Sequence, residues 1–428
     1  MATAEPTAEE WQKLEDVLQI AFKLFHNMRN LLADIKCGYL TNLLGGNNSN
    51  PIIQGDDDIL DVVESAALRI HSQGTKISVL LAHKPFSPKA VASEVAQISC
   101  TDLGFAVQAC LPDLFSLAFY QEMGFRAWTV VNNIEHLLQL IPRNANSLDI
   151  AGGAPWAGNA SRTGMLWDAC DRLRALARSR VSEFYIEKVK LYRTTLEDIL
   201  RELKTYAEPA GDDDGDDPSD NSNNQHSVQA EVDAIGNDQR ARQDFIDEIF
   251  RVEHLPSDDP HRLRPLLERT IRRVQLVIHF YSGLIKRRFA KLPQLPNFDD
   301  ICSYSDSGSG TDSHCSESDC GSGTDSHCSK SDSGSGTDSH CSNSDNTETE
   351  LNVVNRLDDL QPQLSAVTAS FNHLVEAFYM TPEKVYPSLD HCISISCNLG
   401  ELFVKDWQGQ RDQFSDWIDR YRLEMNRD

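Results

Sequence analysis

At 428 residues the chain is long enough for two or three domains with cores of their own, and its 40% apolar content is a little low for a globular protein, as when folded parts are diluted by polar segments. Its formal net charge is −25, and 21 of those charges sit in two stretches: Glu208–Asp238, with ten acidic residues and no Lys or Arg, and Asp299–Glu350, with twelve against only Lys330. An acidic total with a nearly neutral remainder argues against nucleic acid as a partner, because a phosphate backbone needs clustered Lys and Arg.

The N-terminus, Met1-Ala2-Thr3-Ala4-Glu5-Pro6, lacks a basic region followed by an apolar run, so no signal peptide is expected. No apolar run approaches the roughly 20 residues that span a bilayer, so no membrane association is expected. With eleven cysteines and no export signal, free thiols in a reducing compartment are expected rather than disulfides.

Helical periodicity then dominates. Trp11, Leu14, Leu18, Ala21, Phe25, Met28, Leu32 and Ile35 advance in steps of three and four, which places one apolar stripe on one helix face, and Thr7 with Glu10 forms a capping box at its start. Leu60, Val63, Ala67, Ile70, Gly74, Ile77 and Leu81 repeat the pattern up to Lys84-Pro85. Ser87-Pro88 then reads as an N-cap with proline in the first turn. A further helix is expected from about Phe119 to Ile141, and Asn144–Gly164, rich in Asn, Gly, Ser and Ala, reads as a loop. Helical spacing returns from Met165, with Tyr185, Val189, Tyr192, Leu196, Ile199, Leu203 and Tyr206 in one stripe.

The Asp-rich run from Gly211 to Pro218 ends that helix; with no apolar residue to offset the entropy of ordering, it is expected to be disordered. A second helical block opens near Asp238. Its best stripe is Leu267, Ile271, Val274, Ile278, Tyr281 and Ile285, with Lys286-Arg287-Arg288 in the last turn, where cations favour the dipole. Another stripe runs Val353, Leu357, Leu360, Leu364, Val367, Phe371, Leu374 and Phe378, and two shorter helices follow near Leu389–Phe403 and Phe414–Tyr421. The expected organisation is all-α: two antiparallel helical bundles of long helices, with two disordered acidic segments. An N-terminal bundle takes residues 1–207 and an acidic linker 208–237. The C-terminal bundle takes 238–292 and 350–428, around a Ser/Asp/Gly-rich insert at 293–349.

Within that insert Gly-Thr-Asp-Ser-His-Cys-Ser starts at Gly310, Gly323 and Gly336, a thirteen-residue period with nothing apolar beyond cysteine, so it cannot stack into a solenoid core. Its His314-Cys315, His327-Cys328 and His340-Cys341 pairs carry zinc-ligand chemistry, but long spacers replace the usual tight knuckle, and copying of one short unit accounts for them. Ser303, Ser309, Ser316, Ser322, Ser329, Ser335 and Ser342 each have aspartate three residues on, the spacing that acid-directed kinases prefer, so they are the candidate phosphorylation sites; a tract of Ser, Asp and Gly also yields such spacings by composition alone.

No phosphate-cradling glycine loop, His-Glu-x-x-His, Gly-x-Ser-x-Gly or Cys-x-x-Cys occurs, so no catalytic residue, no cofactor and no metal are expected, and the chain is read as a protein-binding molecule, not an enzyme. Arg272-Arg273 and Lys286-Arg287-Arg288 share one helix. Such clusters serve nuclear import or an acidic partner, or they are a solvated face with a dipole-matched end.

The segment Thr163-Gly164-Met165-Leu166-Trp167-Asp168-Ala169-Cys170-Asp171-Arg172-Leu173 resembles the Gly-x-Val-Trp-x-x-Cys-Asp segment of the cyclin-D-binding protein family (the GCIP family), with Leu166 in place of the family's valine. The helix Lys188–Lys204, with Tyr192-Arg193 and Glu202-Leu203-Lys204, is similar to that family too. So are Lys84-Pro85-Phe86-Ser87-Pro88, Ile141-Pro142, Ile285-Lys286-Arg287-Arg288 and Phe378-Tyr379-Met380, so that the resemblance covers roughly 55–290 and 350–405. It implies an all-α, non-enzymatic regulator that binds a cyclin or a helix-loop-helix partner, dampens cell-cycle progression and is found in cytoplasm and nucleus. Gly164, Trp167, Cys170 and Asp171 carry the motif. The spacing of Trp167, Cys170 and Leu173 reads as core packing rather than contact surface. The alternative is a vinculin-like helical scaffold at cytoskeleton or membrane, since long-helix bundles serve there as well.

Overall fold

The computed structural model describes residues 6–39, 58–83, 85–144, 155–208, 255, 259, 262–295 and 344–427, with the backbone alone for 155–158 and 344–352. Among them there is no strand, and the protein is all-α. Nearly all of the acidic linker, the thirteen-residue repeat with its His-Cys pairs, and the seven serines from Ser303 to Ser342 lie outside the described residues. None of the described helices is long and apolar enough to cross a membrane. The chain divides into two compact units: Met1–Phe184 with Pro293–Asp358, and Tyr185–Leu292 with Asp359–Asp428. Two of the dividing points, after Phe184 and after Asp358, fall inside helices, and the third lies between Leu292 and Pro293, after the 3-10 turn.

In the first unit α1 (Ala8–Cys37) buries the eight residues of its predicted stripe. Each such large apolar side chain contributes roughly 1.5–3 kcal/mol by leaving water. Its capping box forms as the sequence implies: the Glu10 N–H donates to the Thr7 hydroxyl at 3.3 Å and the Thr7 N–H to the Glu10 carboxylate at 3.1 Å. Helices α2 (Ile59–Ala82), α3 (Pro88–Val95, capped by Ser87), α4 (Cys100–Ala109), α5 (Pro112–Phe115) and α6 (Leu117–Leu138) follow. The α1 stripe packs chiefly on α6 and α3, and α2 packs on α4. Ser116, fully buried at φ 89°, caps α6, and the Asp358 carboxylate accepts the Leu117 N–H at 2.8 Å, setting negative charge against the positive end of the helix dipole.

Helix α7 (Pro155–Ala207) overturns the loop expected up to Gly164. Low intrinsic propensity there is overridden by tertiary hydrogen bonds from Asn159 and Thr163 to α2, described below. The helix is broken at Arg180, where φ 55° and ψ −172° form a conformation that favours glycine and costs on the order of 1–3 kcal/mol. Its guanidinium lies 2.5 Å from the Asp58 carboxylate, which also caps α2 by accepting the Leu60 N–H at 3.0 Å, so a charge-assisted contact offsets the strain.

The second unit holds α7 from Tyr185, α8 (Leu263–Arg287), a 3-10 turn (Phe289–Lys291), α9 (Ser344–Met380) from Asp359, α10 (Val385–Leu402) and α11 (Gln413–Met425). Helix α9 begins six residues inside the stretch read as insert, and its stripe from Val353 to Phe378 is buried as its spacing predicts. On α8 the buried stripe is Leu263, Leu267, Thr270, Val274, Val277, Tyr281 and Leu284, whereas Ile271, Ile278 and Ile285 are half-buried on its flank. Both sets fit a three-four step, and the aromatic core decides between them. Phe280 stacks on Tyr421 at 4.7 Å, Tyr185 on Phe289 at 5.6 Å, and the Tyr281 hydroxyl donates to the Leu364 carbonyl at 2.9 Å.

The expectation of a wholly solvated basic cluster is corrected at Arg288, which is fully buried. Its two terminal nitrogens donate to the Asp412 carboxylate at 2.8 and 2.9 Å and its Nε to the Phe403 carbonyl at 3.2 Å, while the Phe414 ring lies 4.8 Å away. A buried guanidinium is tolerated only when its donors are met in this way. Asp412 in turn caps α11 by accepting the Ser415 N–H at 3.0 Å, and the Arg288 hydrogen bonds hold its carboxyl well below the usual carboxylate range. Arg273 is also buried, its guanidinium reaching the Arg427 carbonyl.

Candidate functional site

The most specific polar arrangement among the described residues of the first unit is the seam between α2 and α7. Contacts along it run in opposite sequence directions. The Asn159 amide donates to the Ser78 carbonyl at 3.1 Å, and the Thr163 hydroxyl lies 2.9 Å from the Ser78 hydroxyl. The Trp167 indole N–H donates to the Thr75 hydroxyl at 2.9 Å, and Thr75 itself donates to the His71 carbonyl at 2.8 Å. Farther along, the Arg178 Nε donates to the Glu64 carboxylate at 2.8 Å, with Arg174 3.7 Å from the same group. Those arginines, Arg178 above all, lower the Glu64 pKa.

Between these polar contacts the helices approach closely. A Cβ on Gly74 would stand 2.3 Å from Leu166 Cδ2, so glycine is needed there for Leu166 to be buried, and a leucine in the family's valine position is accommodated.

The four motif residues separate into two roles. Cys170 is buried, and desolvation pushes its thiol up to about 12, so it packs as a small apolar side chain. Leu173 is buried beside it in sequence register. Trp167, expected in the core, is instead 39% exposed, and its ring stacks on His71 at 5.6 Å and 21°. Asp171 is exposed and pairs with Arg174 at 3.1 Å. Gly164, one turn before Trp167, has no heavy atom within 4 Å of where its Cβ would be. Helical geometry puts Leu68, Thr75 and Val79 on one stripe of α2 bordering this seam, and both Leu68 and Val79 are exposed. The seam therefore presents apolar surface, an anchored indole and an open backbone approach at Gly164, bordered by carboxylates at Asp168 and Asp171.

Reading the sequence for buried stripes passes over Leu68, Val79, His71 and Thr75. The available signal is that Leu68 and Val79 are apolar and off the stripe that ends at Leu81. Among the described residues no group of three or more His, Cys, Asp or Glu stands close enough to hold a metal ion, and every described cysteine is free.

Residues 62–208 match the family model described as Grap2 and cyclin-D-interacting, N-terminal. That stretch takes in the α2 residues of the seam and the whole α7 motif. No curated protein and no solved structure matches the chain.

Proposed function

Starting from a chain that belongs, over residues 62–208, to the Grap2 and cyclin-D-interacting family, we propose that it is a non-enzymatic regulator that binds another protein, a D-type cyclin or a helix-loop-helix regulator, and through it acts on cell-cycle progression in cytoplasm and nucleus. The observation that carries this reading is the match itself, whose description names an interacting protein, together with the place of its motif. The one large aromatic of that motif is turned to the surface and fixed there. A partly exposed tryptophan held by a hydrogen bond and a stack loses little entropy on binding, which suits it to be an interface anchor.

The test is calorimetric titration of the full chain with a purified D-type cyclin and, separately, with a helix-loop-helix regulator. Binding of one of them, weakened about thirtyfold by Trp167→Ala as an anchor worth about 2 kcal/mol requires, supports the reading. Failure to bind either, with co-sedimentation on actin or anionic vesicles instead, moves the function to a scaffold.

A further inference from the structure

Within the second unit, α8, the turn after it and the start of α11 enclose a groove of about 770 Å³ outside the family match. Its floor is aromatic: the Phe414 and Trp417 rings stack at 5.4 Å and 8°. Gly283 makes that floor possible, since a Cβ there would stand 2.8 Å from Phe414 Cε2 and push the ring off the helix. The rim is cationic, with Lys286, Arg287 and Lys291 on one side and Arg420 on the other, all exposed. Among the described residues none of these four has a carboxylate partner. The one carboxylate lining the groove, Asp412, is already engaged by buried Arg288 and by the start of α11.

Four exposed cations with no carboxylate partner among the described residues converge on a concave aromatic floor, in a chain of net charge −25, and form a local field that attracts an anionic ligand. The exposed carboxylates farther along α11 do not relieve it: Asp416 and Asp419 both face Arg411, at 3.5 and 2.5 Å. The concavity selects among anions. An aromatic floor beneath a cationic rim suits an extended peptide, which would set its carboxylates on the rim and one apolar side chain against Phe414 and Trp417.

We propose that this groove binds a carboxylate-rich peptide segment of a partner protein, with Lys286, Arg287, Lys291 and Arg420 as its charge contacts. The test uses the full-length protein and a fluorescein-labelled peptide of about twelve Asp, Glu and Ser residues with one central Leu, followed by anisotropy. The expected result is saturable binding that weakens as salt rises and is lost by about tenfold or more in Lys286→Glu/Arg420→Glu, while a Lys-rich peptide does not bind. Among the described residues those two side chains hold no carboxylate, so an unchanged thermal melt of the variant certifies its structure.

Absence of binding, equal binding by the variant, or equal competition by a DNA duplex overturns the proposal. So does binding that emerges only when the aspartates between Asp299 and Asp345 are changed to asparagine, because the occupant is then the chain's own acidic tract. None of these outcomes bears on the seam at Trp167, which Trp167→Ala tests separately.

Discussion

Trp167 in the first unit and Arg288 in the second occupy opposite environments to those their side chains take when left alone. The indole is 39% exposed, held by one hydrogen bond to Thr75 and a stack on His71. The guanidinium is fully buried, with donors on a carboxylate and a backbone carbonyl and an aromatic ring over it. Both have their donors met, so hydrogen bonding alone does not set their exposure. A charged side chain with every donor satisfied can be buried, while an indole with its single N–H satisfied still stands partly exposed at the edge of a helix seam.

The comparison breaks most sharply at Asp412. Asp412→Ala leaves Arg288 charged and unpaired, and about 3–5 kcal/mol should be lost from the second unit in urea denaturation. The gap to wild type has a definite pH dependence. Asp412 has a folded pKa below its unfolded value, so its contribution is complete above the unfolded value of about 3.9 and is lost as pH falls through the folded one. The two urea curves should therefore converge as pH drops below about 4. If they stay parallel, the pair is not what stabilises Arg288.

At the seam the effects are smaller. Thr75→Val removes the acceptor of the Trp167 indole and should cost about 0.5–1.5 kcal/mol in thermal melting, with the tryptophan still exposed. Gly164→Ala should do the reverse, raising stability by about 0.5–1 kcal/mol, since its Cβ meets nothing and alanine is the better helix former. If the same change weakens binding of a partner, the space over Gly164 belongs to that partner. The smallest effect is expected for Glu64→Gln, about 0.2–1 kcal/mol and shrinking at high salt, because Arg178, its nearer partner, is 58% exposed.

Much of this fold is legible in the sequence wherever a stripe has no competitor. The α1 and α9 series, the capping box at Thr7 and the Ser87-Pro88 start are all observed, because three-four spacing and terminal hydrogen bonding are local properties. Legibility fails where a distant residue decides. On α8 two stripes fit the spacing, and the Phe280–Tyr421 stack selects between them. Asn159 and Thr163 look like loop residues until Ser78 is opposite them. Of the motif, Cys170 and Leu173 follow the core spacing, but Trp167 shares that spacing and still surfaces, since its ring is long enough to cross the edge of α2 and reach His71. Arg288 is invisible for the same reason: Asp412 is 124 residues away.

The carboxylate of Asp412 also bears on how the protein folds. Helix α11 has 13 residues, a length at which an isolated helix in water is marginal because its first turn is costly to nucleate. Asp412 meets that first turn through a local capping box with Ser415, and the same carboxylate is held by Arg288 after the end of α8. The start of the last helix is thereby tied to an element far earlier in the sequence. Substitutions at Arg288 should slow folding only if that junction is part of the rate-limiting nucleus, and otherwise should quicken unfolding, with the aromatic floor at Phe414 and Trp417 lost first.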